Sequence, residues 1–163
     1  MIEPAQWLRS NAPELGIDPA NVNPASADLC LGGHVIERKP GRPDIHYHLA
    51  PGEPFEFEPD ALYIAHSEEY TRCPDTHAWM LALKSSTGRK GLNHLHAGWG
   101  DPGFEGQVTF ELAAYMPVTF CRGQRIVQLV YLRLTEATAR PYHLDGRYQG
   151  QTSATPARPE REP

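Results

Sequence analysis

The stretch DPGFEGQVTFEL, Asp101–Leu112, joins a tight glycine-containing turn to a run in which apolar and polar residues alternate. Apolar side chains stand at positions 108, 110 and 112, and polar side chains stand at 107, 109 and 111. Because successive side chains of a strand point to opposite faces, the alternation predicts a strand with one face in the core. Its polar face carries Glu111, and the neighbouring Phe110 and Leu112 can make the surroundings of this carboxylate partly apolar, which would suit a general base.

Shorter strands are predicted on both sides of this stretch. Nearly continuous apolar runs that are too short for a helix predict buried strands, and alternating runs predict strands with one solvated face. The predicted strands are Ala27–Leu31, Phe55–Ala65, His77–Leu83 and Ile126–Leu132. One short helix over Pro4–Ser10 is expected to end before Pro13. Many short strands separated by turn signals predict an all-β barrel or sandwich.

The length and charge of the chain limit the classes of protein that it can be. With 163 residues the chain suits one domain, and a net charge of −5 argues against a protein that coats nucleic acid. The absence of a long apolar run or a secretory leader predicts no membrane span. Three widely spaced cysteines, Cys30, Cys73 and Cys121, predict reduced thiols in a cytoplasmic protein. We expect a domain over residues 1–151 and, because residues 152–163 are rich in Pro, Arg and Glu, a flexible C-terminal tail.

The segment KSSTGRK, Lys84–Lys90, has the composition of an anion-binding loop. Two serine hydroxyls, a glycine and three cations directly follow a predicted buried strand, and an Arg fork donates two parallel hydrogen bonds to phosphate. A polar turn with solvated charges explains the same residues. Taken alone, the polar turn is favoured, because the segment is not a Walker loop and no helix obviously follows it.

Paired histidines suggest a second kind of site. His46, His48, His94 and His96 alternate along two predicted strands and could together hold a metal ion, as in cupin barrels. The cupin pattern expects a glutamate soon after the second pair, but the first one here is Glu105. Surface or packing histidines are therefore the favoured interpretation.

Four segments carry the most specific pattern of the chain. They are KSSTGRKGL (84–92), HAGWGDPGFEGQVTFEL (96–112), GQRIVQLVYLRL (123–134) and PYHLDGRYQGQ (141–151). In this order and spacing they resemble the dCTP deaminase family of the trimeric dUTPase-like superfamily, including its dUMP-forming branch. The resemblance runs from Asn23 to about Gln151. It implies a distorted β-barrel of the β-clip type that forms a homotrimer, with each active site shared between subunits.

The resemblance also implies roles for particular residues. Glu111 would be the catalytic carboxylate, Asp101 would act on the α-phosphate in a dUMP-forming enzyme, and the backbone at Ala97 would read the pyrimidine. The residues that would bind the nucleotide are Lys84, Ser85, Ser86, Arg89, Trp99, Tyr142, Arg147 and Gln151. Mg²⁺ would arrive on the triphosphate, and dTTP would act as an inhibitor. Zinc is not expected, because the P-C-x-x-C half of the zinc-deaminase signature is absent.

Several alternatives stay open at this stage. The product is either dUTP or, through a second step, dUMP and pyrophosphate; a dUTPase and a non-catalytic nucleotide-binding regulator are more distant possibilities. The chain departs from the family pattern at Lys84, where Arg is frequent, at Thr87, where Leu is usual, and at Gly100, where Ile is expected. Gly100 is predicted to loosen the turn beside Asp101, which puts the phosphate-cleaving step most in doubt.

Overall fold

Short strands dominate a computed structural model of the chain, which describes residues 1–94 and 97–159. The strands are β1 (Val22–Asn23), β2 (Ser26–Cys30), β3 (His34–Arg38), β4 (Ile45–His48), β5 (Pro54–Phe57), β6 (Leu62–Arg72), β7 (His77–Leu83), β8 (Leu92–His94), β9 (Trp99–Gly100), β10 (Glu105–Ala114), β11 (Val118–Cys121) and β12 (Arg125–Arg133). The helices are α1 (Ala5–Leu15) and α2 (Ser85–Arg89), with single 3₁₀ turns at Pro19–Asn21 and Tyr142–Leu144.

The strands form two five-stranded sheets and one two-stranded sheet. The orders are β1-β2-β12-β7-β9, β4-β3-β6-β10-β8 and β11-β5, and every pairing is antiparallel. None of the three sheets closes on itself in the described part of the chain, as expected of a distorted barrel. The predicted all-β class with a short N-terminal helix is confirmed.

Strand β10 has the predicted two-sided character. Val108, Phe110 and Leu112 are at most 2% exposed and lie in the main core, whereas the alternate residues, including Glu111, are only partly buried. The strand lies between β6 and β8: β6 pairs with it from Glu105 to Leu112, and β8 pairs only with Leu112–Ala114. Backbone pairing with β6 therefore holds the part of the strand that carries Glu111.

The prediction that the first helix ends before Pro13 is wrong. Helix α1 includes Pro13 in its last turn and ends at Gly16, which has a φ of 67°. Proline here removes only one late hydrogen bond, and burial of Leu8, Ala12 and Leu15 on one face offsets that loss. Gly16 suits the left-handed end because a Cβ would collide with the backbone carbonyl of Tyr70.

Two other boundaries differ from prediction. The strand predicted over Phe55–Ala65 is two strands, β5 and β6, divided by a turn in which Asp60 has a φ of 63°. The segment Lys84–Lys90, for which the sequence alone favours a plain polar turn, contains the one-turn helix α2.

No helix in the described ranges is long and apolar enough to cross a membrane. All three cysteines are free.

Candidate active site

A cavity of about 390 Å³ lies beside the polar face of β10. Strands β7, β9 and β10, the turn after β9 and the C-terminal segment form its walls. Six of the residues predicted from the sequence to form the site line it: Ala97, Trp99, Asp101, Glu111, Tyr142 and Gln151. The structure therefore brings together two of the four specific sequence segments, 96–112 and 141–151, at a single cavity.

Glu111 is the carboxylate that projects from β10 into this cavity. One of its oxygens, Oε2, is buried and has no hydrogen-bond partner among the described residues. Apolar side chains of Leu62, Ile64 and Val108 line the same wall. Burial raises the pKa of the Glu111 carboxyl above its ordinary value, because the charged form loses hydration there. A carboxylate in such a place is suited to taking and returning protons.

Asp101 lies at the mouth of the cavity, at the start of the predicted tight turn. Gly103 adopts a φ of 83° in this turn, and the Phe104 amide donates to the Asp101 carbonyl at 3.1 Å. The indole Nε1 of Trp99 donates to Oδ1 of Asp101 at 3.1 Å. Two carboxylates, Asp101 and Glu111, thus line one cavity from different structural elements.

Gly100 does not loosen this turn. It is buried in β9, where it pairs with Trp79 of β7, and a Cβ at this position would collide with the Trp79 indole ring. The ring of Trp79 therefore occupies the space that a side chain at position 100 would need. Beside Asp101, where the sequence predicts a loosened turn, the backbone of Gly100 instead lies in close contact with the Trp79 indole.

The C-terminal segment closes one side of the cavity. The side-chain amide of Gln151 donates from Nε2 to the Gln107 carbonyl at 2.8 Å and to Thr109 Oγ1 at 3.2 Å. These two bonds fix the amide, and Oε1 is left buried without a partner in the described ranges. The Tyr142 amide donates to the Pro102 carbonyl at 2.7 Å, which ties this segment to the Asp101 turn.

The predicted tail is described as far as residue 159, and residues 160–163 lie outside the described part. Ala154 is buried against Ile36 and Ile64, and Thr155 and Ala157 line the cavity. His34 Nδ1 lies 2.6 Å from Ser153 Oγ. Residues 151–157 thus contact the same face of the second sheet that carries Glu111.

The three described histidines of the metal hypothesis, His46, His48 and His94, do not lie together as a metal site requires. His46 and His48 lie on β4 and stack with His34, with ring centroids 5.2 and 4.6 Å apart. His94 lies on β8, at the opposite edge of the same sheet, and contacts Phe110. His96 lies outside the described residues. Within the described ranges the first pair and His94 are separated by three strands.

The predicted phosphate-binding residues lie away from this cavity. Ser85, Ser86 and Arg89 are exposed on α2, and the Lys84 ammonium donates to buried Asp28. Arg147 also lies outside the described lining. Lys84 is thereby bound inside its own chain, whereas the two serines and the arginine remain accessible.

Two of the lining residues that the sequence did not predict, Arg38 and Trp79, contribute most to the character of the cavity wall. Arg38 at the end of β3 is the only cation in the described lining, and Asp44 holds it through two hydrogen bonds of 2.9 and 2.7 Å. Nothing in the local sequence distinguishes this arginine from a surface residue. Trp79 lies in a strand predicted to be buried. Its pairing with Gly100 across β7 and β9 is a long-range contact that local sequence patterns do not reveal.

The charges of the cavity are unsuited to a triphosphate held by one chain alone. Two carboxylates and one paired arginine line it, so little positive charge faces a bound anion. Phosphate groups require several cations or backbone donors. Residues from elsewhere are needed to complete an anion-binding site here.

The chain is similar in sequence to proteins of one family. Residues 6–134 match the family model described as dCTP deaminase-like. A protein of Persephonella marina named "dCTP deaminase, dUMP-forming" is 38% identical over 89% of this chain and 88% of its own length. A Mycobacterium protein of the same name is 43% identical over 91% and 89% of the two chains.

A solved structure shares the fold. The crystal structure of 2'-deoxycytidine 5'-triphosphate deaminase from Agrobacterium tumefaciens superposes with a TM-score of 0.65 at 21% identity. The match covers 80% of this chain, and the chain spans about half the length of that protein, 47%. The match in sequence to the family model and to both relatives extends over most of the chain, so the chain belongs to the dCTP deaminase-like family.

Proposed function

We propose that the protein is a dCTP deaminase that hydrolyses the amino group from the cytosine ring, with Glu111 as the general base. The observation that carries the proposal is the buried, unpartnered carboxylate oxygen of Glu111 in a cavity large enough for a pyrimidine. Relatives that cover most of the chain are named for this activity.

The proposed chemistry needs one group that moves protons twice. Ionised Glu111 takes a proton from water as the water oxygen bonds to C4 of the ring. Proton transfer to N3 and to the departing amino group then breaks the C4–N4 bond and releases ammonia. The backbone at Ala97 and the fixed amide of Gln151 supply contacts for the base and sugar. Positioned acid–base assistance of this kind contributes about 10²–10⁴ in rate.

We also propose a second step that converts dUTP to dUMP and pyrophosphate. Asp101 lines the same cavity as Glu111, and the named relatives are described as dUMP-forming. Asp101 activates a water that attacks the α-phosphorus, and pyrophosphate leaves. Release of dUTP alone is the second candidate, since Glu111 by itself suffices for deamination.

The substrate in this proposal is the magnesium complex of the triphosphate. Ser85, Ser86 and Arg89 of a neighbouring copy bind the phosphates in a homotrimer with shared sites, because the only cation in the described lining of one chain's cavity is Arg38, which already pairs with Asp44. Tyr142, Arg147 and Gln151 belong to the arm that covers the nucleotide, and residues 152–163 continue it as a tail. The family resemblance adds dTTP as an inhibitor.

A product assay tests this function. The protein is incubated with dCTP and Mg²⁺, and ammonia, dUTP, dUMP and pyrophosphate are quantified, with dUTP as a second substrate. Equal amounts of ammonia, dUMP and pyrophosphate are expected. Ammonia with dUTP leaves the deaminase without the second step. Hydrolysis of dUTP without ammonia identifies a dUTPase, and binding without turnover identifies a nucleotide-binding regulator.

The rate of deamination should depend on pH through Glu111. Burial raises its pKa above the ordinary value of 4.5, and only the ionised form can accept a proton from water. Activity should therefore fall on acidification at a higher pH than an exposed glutamate would give. The measurement is kcat/KM for ammonia release against pH, and an acid limb at or below the ordinary glutamate value contradicts the assignment.

A further inference from the structure

We propose that Trp99 is a positioning residue for Asp101 and sets the share of dUMP among the products. The inference rests on the proposed two-step function and deepens it. It assigns to an exposed indole a task in the phosphate-cleaving step that is independent of deamination.

The first observation is the contact between the two side chains. Trp99 Nε1 donates to Asp101 Oδ1 at 3.1 Å, although 59% of the tryptophan surface is exposed. Side chains two positions apart in extended backbone point to the same side, so the pair needs no unusual geometry. The N–H of an exposed indole usually donates to water, whereas this one donates to a carboxylate that lines the cavity.

The backbone on both sides of the pair is fixed. Trp99 pairs with Met80 across β9 and β7, and Gly100 is buried under the ring of Trp79. The Leu81 amide donates to the Gly98 carbonyl at 2.7 Å. These contacts hold the backbone of Trp99 in place, which limits the positions that the indole N–H can take beside the carboxylate.

The Asp101 end of the contact is held equally well. The Phe104 amide bonds the Asp101 carbonyl at 3.1 Å, and the Tyr142 amide bonds the Pro102 carbonyl at 2.7 Å. Among the described residues, only the Trp99 indole donates a hydrogen bond to the Asp101 carboxylate, through Oδ1. This bond restricts rotation of the side chain and leaves Oδ2 available for a water molecule.

The hydrolytic step uses this arrangement directly. Water bonds to the α-phosphorus through its oxygen, its proton passes to Oδ2 of Asp101, and the bond to the bridging oxygen breaks to release pyrophosphate. A fixed Oδ2 keeps the water in line with the leaving group. Glu111 accepts no hydrogen bond from any described residue, so this restraint does not extend to the deamination step.

The test is the Trp99→Phe variant, which keeps an aromatic ring and loses the donor. With dUTP as substrate, kcat should fall about tenfold with KM nearly unchanged, as expected for loss of one hydrogen bond to a charged group. With dCTP, the amount of dUMP formed per ammonia released should fall about tenfold, and dUTP should accumulate in its place. Trp7→Phe, the same substitution at an indole stacked on His77, is the matched control and should leave the product ratio unchanged.

A spectroscopic measurement checks the contact without reference to activity. The chain has three tryptophans, so three indole N–H signals are expected in a ¹H–¹⁵N spectrum. Loss of one signal in Trp99→Phe identifies that of Trp99, and Asp101→Ala should move it more than the other two. An unmoved Trp99 signal overturns the contact.

The outcomes separate the inference from the function on which it rests. If wild-type protein forms dUMP and Trp99→Phe forms it at the same kcat and in the same proportion, the positioning role is wrong and the two-step function stands. If wild-type protein releases dUTP alone, the second step and the role of Trp99 are both wrong. A fall in ammonia release with an unchanged ratio of dUMP to ammonia in Trp99→Phe also contradicts the inference, because it indicates weaker nucleotide binding or general damage to the site.

Discussion

The Glu111→Gln variant is expected to release ammonia from dCTP about 10²–10⁴-fold more slowly than the wild-type protein while still binding the nucleotide. The amide keeps the size of the side chain and its place on β10, but it cannot accept a proton from water at neutral pH. Ammonia release under substrate saturation measures the effect, and calorimetric titration with dCTP measures binding. Retention of the wild-type rate would remove Glu111 from the mechanism.

A glutamate on the same strand supplies the matched control for this variant. Glu105 begins β10 and pairs with Arg72 at 3.0 Å on the surface, outside the described lining of the cavity. Glu105→Gln removes one carboxylate from the same strand and should leave ammonia release within about twofold of wild type, because exposed ion pairs contribute little to stability. Equal losses in both variants would point to the stability of the strand rather than to proton transfer.

The Glu111 variant should also be at least as stable as the wild-type protein at neutral pH. Burial raises the pKa of Glu111 in the folded protein above the ordinary value of 4.5 in the unfolded chain. The folded state therefore favours the protonated form, and stability decreases as pH rises through the raised pKa. Gln resembles the protonated form and avoids that loss. Thermal unfolding at pH 7 would distinguish a lost catalytic group from a damaged fold.

Local patterns predicted the parts of the fold that depend on neighbouring residues. The alternation of residues 107–112 depends only on strand geometry, and β10 has the expected buried and polar faces. The apolar run His77–Leu83 is a strand with the bounds predicted for it. The first pattern reflects burial on one sheet face, and the second is a nearly continuous apolar run that is too short for a helix.

Tertiary contacts decided the points at which the local patterns failed. Helix α1 continues past Pro13 because its buried face packs on the core, which the sequence of the helix does not reveal. Gly100 appeared to weaken a turn because its partner, Trp79, lies 21 positions earlier in the chain. Lys84 appeared free to bind phosphate because its partner, buried Asp28, lies on another strand. In each case the deciding group is distant in sequence and adjacent in space.

In the candidate site too, local sequence predicts some features and tertiary contacts decide the others. Asp101 and Glu111 lie in one of the specific segments and Gln151 in another, and only the resemblance of those segments to one family predicted a single site before the structure did. Chemical type was enough to nominate each residue. Their common cavity depends on how β10, the turn at Asp101 and the C-terminal segment pack together.

Mixing two inactive variants should restore activity if neighbouring chains share each site. Glu111→Gln lacks the proposed base, and Arg89→Ala lacks the proposed phosphate-binding guanidinium, so each protein alone should release little ammonia. When equal amounts are unfolded and refolded together, each site takes Glu111 from one chain and Arg89 from a neighbour. Roughly a quarter of the sites then combine two intact residues, so ammonia release should recover to about a quarter of the wild-type rate.

The expectation follows from the charges and exposure that the structure gives these residues. Glu111 lies in a cavity whose described lining holds one cation, Arg38, and Asp44 already pairs with it. Arg89 is exposed on α2 and has no place in that lining. A site contained within one chain predicts no recovery, since every chain in the mixture carries one of the two defects. Native mass spectrometry must detect assemblies with both variants, and absence of recovery in such assemblies would overturn the shared site.

A second mixture, of wild-type protein with the Glu111→Gln, Arg89→Ala double variant, makes the comparison quantitative. About a quarter of the sites remain intact if they are shared, and about a half remain intact if each lies within one chain.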